Sequence, residues 1–230
     1  MIGIIGAMAS EVDGLKDKMQ NMKAEKISGV DFCSGIIGNR KVVVAQAGVG
    51  KVNAAVTAQT MILKYGVSAL INIGVAGGID KTLKIGDIVV ADRVVEHDMD
   101  TTAVGDELGF ITGIDRVYMD CDKKLSESIY ECAINTGVHT IYGTIASGDI
   151  FVSEDSVRNR ISKQFNAAAA EMEGGAIGHV CTMNNVPFVV LRAMSDCAND
   201  ESSVDFPTFA KSAAEKSIEI ITAYLAKGAE

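Results

Sequence analysis

Residues 69–78 read Ala-Leu-Ile-Asn-Ile-Gly-Val-Ala-Gly-Gly, and this stretch decides the fold class. Its first half, Ala69 to Ile73, is a short and nearly unbroken apolar run. A strand apolar on both sides belongs inside a sheet covered by helices on both faces. Its second half puts glycines after that strand, so bare backbone stands at the carboxyl end of the sheet, where α/β proteins bind ligands. A plain tight turn accounts for the same glycines equally well. Ile88 to Val90 is a second apolar run of this kind, and Pro187 to Met194 (PFVVLRAM) is a third.

Helical patterns separate these runs. Val52 to Lys64 (VNAAVTAQTMILK) has helical periodicity and good helix formers, and helices are also expected near Ser10–Met19, Lys123–Asn135, Ser156–Gln164 and Glu173–Asn184. Met1 to Gly6 and Thr140 to Ala146 read as further strands. Phe32–Ile37 and Lys41–Gln46 flank a Gly38-Asn39 pair, which predicts a hairpin. The C-terminal stretch opens with Asp205 as a candidate N-cap and Pro207 in the first turn, and Phe209, Ala210, Ala213, Ala214, Ile218, Ile221 and Leu225 recur at helical spacing. Alternating strands and helices predict an α/β fold, and the hairpin makes the central sheet mixed. No repeat, linker or composition break appears, so residues 1–230 are expected to form a single domain. Thr101 to Cys121 reads as a long loop, a class of segment that is often functional.

Composition narrows the function. The net charge is −9, and no run of lysines or arginines exceeds two, so the footprint of a nucleic-acid or anionic-membrane binder is missing. Five scattered cysteines and three histidines suggest neither a zinc site nor a disulfide framework, and the cysteines read as core residues of a reducing compartment. No leader is indicated, and no apolar run approaches the roughly 20 residues that cross a bilayer. A cytoplasmic location is the expectation.

The glycine-rich turns are poor cofactor loops. Gly3-Ile4-Ile5-Gly6-Ala7-Met8 lacks the dinucleotide spacing, and from position alone its neighbour Glu11 reads as a solvated first-turn carboxylate favoured by the helix dipole. Ala47-Gly48-Val49-Gly50-Lys51 resembles a phosphate loop, but position 45 is alanine and position 52 is valine, which cannot hold magnesium. The last third is more telling. Ser147 to Val152 (SGDIFV) ends a strand, Ala170 to Ala176 (AEMEGGA) places two carboxylates at a strand-to-helix junction, and Leu191 to Asp196 (LRAMSD) carries an arginine and an aspartate out of an apolar strand. Charges inside apolar strands are costly unless paired or used. A structural ion pair between Glu173 and Arg192 would account for them without catalysis.

In order along the chain stand GIIGAM-x-x-E, GVGK-x-x-AA, N-x-G-x-AGG, GD-x-V, HD-x-D-x-TA, SGD-x-F, A-x-EMEG-x-A and R-x-x-SD. Together they resemble the methylthioadenosine/S-adenosylhomocysteine nucleosidases of the nucleoside phosphorylase superfamily. The resemblance implies a nucleoside phosphorylase-like sheet flanked by helices, usually a homodimer, with no metal or cofactor. It implies cleavage of adenine thionucleosides, and also of 5′-deoxyadenosine, to adenine and the sugar, as in methionine salvage. It makes Glu11 the group that activates water and Asp196 the carboxyl that protonates the purine at N7. Glu173 matches the ribose-gripping carboxylate, with Met172 on the sugar and Arg192 near the water. Ser195 resembles a support for Asp196, and Phe151 and Val152 match the adenine site. Val75, Ala76, Gly77 and Glu171 fall within the substrate-binding motifs. Met8, Val49 and Phe206 resemble walls of an apolar 5′-alkylthio pocket, and the 101–121 segment is expected to reach the partner's 5′ pocket. The chain carries Val75 where the family often has serine, and Val104 and Asp106 where it often has aromatics.

The chemistry requires opposed carboxylates. Breaking an N-ribosidic bond puts positive charge on the sugar and negative charge on the purine, so one carboxyl must donate a proton while another takes one from water. Asp196 is thus expected to be held neutral and Glu11 ionised. Three rivals remain: a phosphorylase of the same fold, a hydrolase of another nucleoside such as futalosine, and a non-catalytic nucleoside binder.

Overall fold

The structure of the chain, a computed structural model, describes residues 1–197 and 206–227. The expected N-cap Asp205 and the side chain of Phe206 lie outside the described residues. In chain order the elements are β1 (Ile2–Gly6), α1 (Ala9–Lys16), β2 (Gln20–Ile27), β3 (Val30–Ile37), β4 (Arg40–Gln46), α2 (Lys51–Tyr65), β5 (Ala69–Gly78), β6 (Ile88–Glu96), β7 (Tyr118–Asp120), α3 (Lys123–Ile134), β8 (Thr140–Ser147), α4 (Asp155–Phe165), β9 (Ala167–Glu171), α5 (Gly174–Asn184), β10 (Phe188–Cys197) and α6 (Phe206–Ala226).

The sheet is mixed, as expected. β1 pairs in parallel with β4 and β5, while β3 and β4 form the antiparallel hairpin. β5 pairs with β10, β10 with β6, β6 with β8 and β8 with β9, and β9 returns to β5 through Gly77–Ala170 and Gly78–Ala169. These five strands therefore close a ring, and the carboxyl ends of β5, β9 and β10 converge on one side of it.

Strand alternation assigns the two faces. Ile4 of β1 and Ile71 and Ile73 of β5 belong to a cluster with Val12 and Leu15 of α1, Ile129 of α3 and Ile218 and Ile221 of α6. Ile5 and Val43, one residue out of phase, belong to the opposite cluster with Ala54, Ala58 and Met61 of α2 and Ile177 and Cys181 of α5. Both faces of the central strands are thus covered, the condition that lets them be apolar throughout. Three strands escaped sequence reading, of which β7 interrupts the 101–121 segment expected to be a loop and pairs with β6. β2 (QNMKAEKI) is a solvent-exposed edge strand of polar residues, and β9 is four alanines and a glutamate with no β propensity.

Helix α5 lies close on the sheet because Gly178 carries no side chain. A Cβ there would stand 2.6 Å from Val94 Cγ2 and 2.9 Å from Phe188 Cζ. Both neighbours are buried, so a side chain can be admitted only by parting helix and sheet. Gly178→Val is expected to lower stability by about 1–3 kcal/mol, read as a lower urea midpoint at unchanged slope.

Candidate active site

Glu11 occupies the first turn of α1 and is 3% exposed, so it is not a solvated surface carboxylate. Its Oε2 accepts from the backbone N–H of Ala7 at 2.6 Å and of Met8 at 2.9 Å. Its Oε1 accepts from Val75 N–H at 3.1 Å. The turn leaving β1 and the end of β5 thereby point three donors at one carboxylate. Gly74 leaves the room, since a Cβ there would come within 2.6 Å of Oε1. Burial pushes the Glu11 carboxyl above the usual carboxylate range, and Arg192 with the N–H groups of Met8, Val75 and Ala7 offsets this only in part. A carboxylate drawn toward neutral pH is suited to take a proton from water. Position 75 serves Glu11 through its backbone, so valine in place of serine leaves that contact intact.

Arg192 of β10 is 1% exposed and lies behind this carboxylate. Its nearest acid is Glu171, the last residue of β9, which it contacts through Nη2. The same nitrogen donates to Asn72 Oδ1 at 2.6 Å and lies 3.6 Å from Glu173 Oε2. The Glu173–Arg192 pair expected from the sequence is therefore the longer of two. Glu171 is saturated by protein donors: Ser147 Oγ, the N–H of Glu173 at 3.0 Å, and the N–H of Gly174 at 2.8 Å. Glu171 lines the cleft, but its oxygens are spent on the frame.

Glu173 is the freer of the two. Its Oε1 accepts from Gly50 N–H at 2.9 Å at the start of α2. Burial, reinforced by the charges of Glu171 and Glu11, pushes its carboxyl up to about 7 against the pull of Arg192 and the Gly50 N–H.

Asp196 leaves β10 beyond an irregularity in its pairing with β5. Ser195 Oγ donates to its Oδ1 at 2.9 Å, which is the supporting contact expected of Ser195. Arg158 of α4 approaches Oδ2 at 3.8 Å. Gly77 permits this placement, since a Cβ there would lie 3.1 Å from Oδ2.

These groups share one cleft of about 200 Å³. Met8, Glu11, Val49, Val75, Ala76, Gly77, Phe151, Val152, Glu171, Met172, Glu173, Ser195 and Asp196 all line it. Of the remaining expected residues, Arg192 stands behind the wall, and the Phe206 side chain lies outside the described residues. Sequence reading missed Ala7, Ile79, Ile150, Arg158 and Ala170 in the lining, and Asn72 behind it. Arg158 gave no signal because α4 is polar nearly throughout, while Asn72 lay inside the quoted glycine motif without a role. Among the described residues no cluster of acids, histidines and cysteines could hold a metal ion.

A compact cleft of carboxylates with a largely apolar remaining lining, built at the carboxyl ends of a mixed sheet, defines a class of small-molecule enzyme. Residues 1–226 match the family model described as the phosphorylase superfamily. A 5′-methylthioadenosine/S-adenosylhomocysteine nucleosidase of Staphylococcus aureus is 40% identical over 99% of this chain and all of its own length. The enzyme of that name from Neisseria meningitidis, solved with methylthio-immucillin-A, superposes with a TM-score of 0.93 at 34% identity, covering 98% of each chain. A futalosine hydrolase of Helicobacter pylori superposes at 0.91 and 34% identity, covering 97% of this chain and 96% of its own. The chain belongs to the phosphorylase superfamily and, within it, to the family of the methylthioadenosine/S-adenosylhomocysteine nucleosidases.

Two outcomes follow from the buried charges. Glu171→Ala strands the Arg192 guanidinium and is expected to cost about 3–5 kcal/mol, seen as a large fall in melting temperature. Glu173 has an ordinary value of 4.5 and a folded value of about 7, so the folded protein binds more protons between them. Stability held in this group is therefore complete below 4.5 and is lost as pH rises through about 7. Glu173→Gln removes that loss, and its urea midpoint is expected to gain on the wild type's as pH rises through this window.

Proposed function

We propose that this chain hydrolyses the N-glycosidic bond of 5′-methylthioadenosine and S-adenosylhomocysteine, releasing adenine and the thioribose. The observation that carries the reading is the convergence of Glu11, Glu173 and Asp196, from three separate elements, on one cleft whose remaining walls are largely apolar. Glu11, desolvated and held by three N–H groups, takes the proton of the attacking water. Asp196, steadied by Ser195, delivers a proton to the purine N7 and neutralises the leaving group. Glu173 accepts hydrogen bonds from the ribose hydroxyls and supports positive charge on the sugar. Met8 and Val49 offer an apolar wall to a 5′-alkylthio group, where a hydroxyl would lose its water partners without replacement.

Water is favoured over phosphate as the nucleophile. The cleft presents Glu11, Glu171, Glu173 and Asp196, and Arg158 is the single cation among its described lining residues. Arg158 itself lies against Asp155 and Asp196. Four carboxylates repel a phosphate dianion. Futalosine is the second substrate reading, supported by the likeness to the Helicobacter pylori hydrolase.

The enzyme acts as a homodimer in this reading. Val52, Val56 and Leu63 repeat on one face of α2 and are exposed, as is Met183 on the adjoining α5. Val49, Ile150 and Phe151 are also exposed although they line the cleft. A second subunit, through its 101–121 segment with Val104 outermost, would cover them and close the 5′ pocket. A cytoplasmic location fits the four free thiols at Cys33, Cys121, Cys132 and Cys181. No helix of the described residues is long and apolar enough to cross a membrane.

Adenine release from a panel of 5′-substituted adenosines and futalosine, with and without phosphate, tests the reading. Thionucleoside cleavage without phosphate is expected, and strict phosphate dependence would sink it. Glu11→Gln and Asp196→Asn should each lower kcat by about 10²-fold or more. Leu63→Arg should convert dimer to monomer in size-exclusion chromatography.

A further inference from the structure

The Gly48–Lys51 turn is no phosphate loop, yet it ties together three walls of the cleft. Lys51 opens α2, and its Nζ bridges Glu96 Oε2 at 2.9 Å and Asp98 Oδ1 at 2.7 Å. Its backbone N–H donates to Asp149 Oδ1 at 2.8 Å. Asp149 N–H donates in turn to Asp98 Oδ2 at 2.9 Å, so ammonium, aspartate and loop form a closed circuit. Glu96 is anchored from the far side by His179 Nδ1 at 3.1 Å. The residue before Lys51 is Gly50, whose N–H holds Glu173, and two residues beyond Asp149 is Phe151 of the adenine wall. Gly50 has φ +101, a conformation that side chains rarely adopt, and a Cβ there would lie 3.1 Å from Asp149 Oδ1. Only glycine suits this turn, because it takes the positive φ without strain and leaves room for Asp149.

We propose that Lys51 is a positioning residue for substrate binding: by clamping Glu96 and Asp98 it fixes the turn that presents the Gly50 N–H to Glu173 and the segment that presents Phe151 to the purine. This rests on the nucleosidase reading above. Lys51 touches no reacting atom and acts through two contacts of other residues. With a side chain only 19% exposed between two acids, its ammonium resists loss of its proton. Burial alone would favour that loss, and the hydrogen bonds it donates to Asp98 and Glu96 outweigh it. The clamp therefore persists across the working pH range.

The charges facing Glu173 are Glu171 of β9, Arg192 of β10 and Glu11 of α1, together with the Gly50 N–H dipole. Loosening the clamp weakens only the last, which removes a donor to ionised Glu173 and favours its protonated form. The sign follows: the acid limb of kcat/KM, where Glu173 becomes protonated, moves to higher pH.

The test compares wild type, Lys51→Met and Lys51→Arg on methylthioadenosine across pH, with melting temperatures alongside. Lys51→Met is expected to raise KM about tenfold while kcat stays within about threefold, and to shift the acid limb up by about half a pH unit. Lys51→Arg should recover most of both. If Lys51→Met does not fold, Asp98→Ala breaks the same circuit at its more exposed end and should move KM and the acid limb in the same directions. A folded variant with unchanged KM and acid limb would overturn the proposal, as would a fall in kcat alone. Failure of wild type to release adenine would instead refute the nucleosidase reading, leaving the two outcomes distinct.

Discussion

The structure depends on one buried cation. Arg192 stands in the middle of an apolar strand, sealed from water, and a guanidinium there is tolerable only if acids and amides enclose it. Glu171 and Asn72 both meet its Nη2, and the demands of Glu171 then organise what surrounds it. Its oxygens hold Ser147 of β8 and the backbone N–H groups at the start of α5, so the strand ring and the helix entry are fixed by the same carboxylate. Asn72 in turn donates to Ile5 O at 3.0 Å, tying β5 to β1. The frame was built around the charge, and the cleft is what the frame leaves open.

From that frame come two acids with elevated affinity for protons, by different routes. Glu11 is pushed up by burial and pulled back by donors, while Glu173 is pushed up by burial and by like charges. Arg192 opposes both shifts, so one cation behind the cleft wall tunes two carboxylates. Asp196 stands apart at the exposed end of β10, beside a hydroxyl and a guanidinium. The same residue type thus stands in three different surroundings, as the proposed division into acid, base and ribose-binding roles requires.

Much of this was legible in the sequence. Apolar runs at Ala69–Ile73 and Pro187–Met194 announce central strands because burial on both faces leaves no polar alternation. The motif order pointed to thirteen of the residues that line the cleft, most of them near strand ends where the chain must turn. What stayed hidden has physical reasons. β9 is built from alanines, which serve there because Gly143 and its neighbours leave no room for larger side chains: a Cβ at Gly143 would meet Ala168 Cβ at 2.6 Å. The choice of Glu171 over Glu173 as the partner of Arg192 depends on which carboxylate ends a strand, a matter of a two-residue offset. Lys51 looked like half of a phosphate loop, and its partners Glu96 and Asp98 are more than forty residues away.

Glu11 both caps a helix and lines the cleft as the proposed base. Its two oxygens satisfy the orphan N–H groups of Ala7 and Met8 as well as that of Val75, so the residue cannot be altered for chemistry without unpairing backbone. Under the proposed mechanism, selection for turnover and selection for a folded chain act on the same pair of atoms. Drift toward an inactive but sturdy binding protein is obstructed at this position, because the first step away from catalysis is also a step toward unfolding.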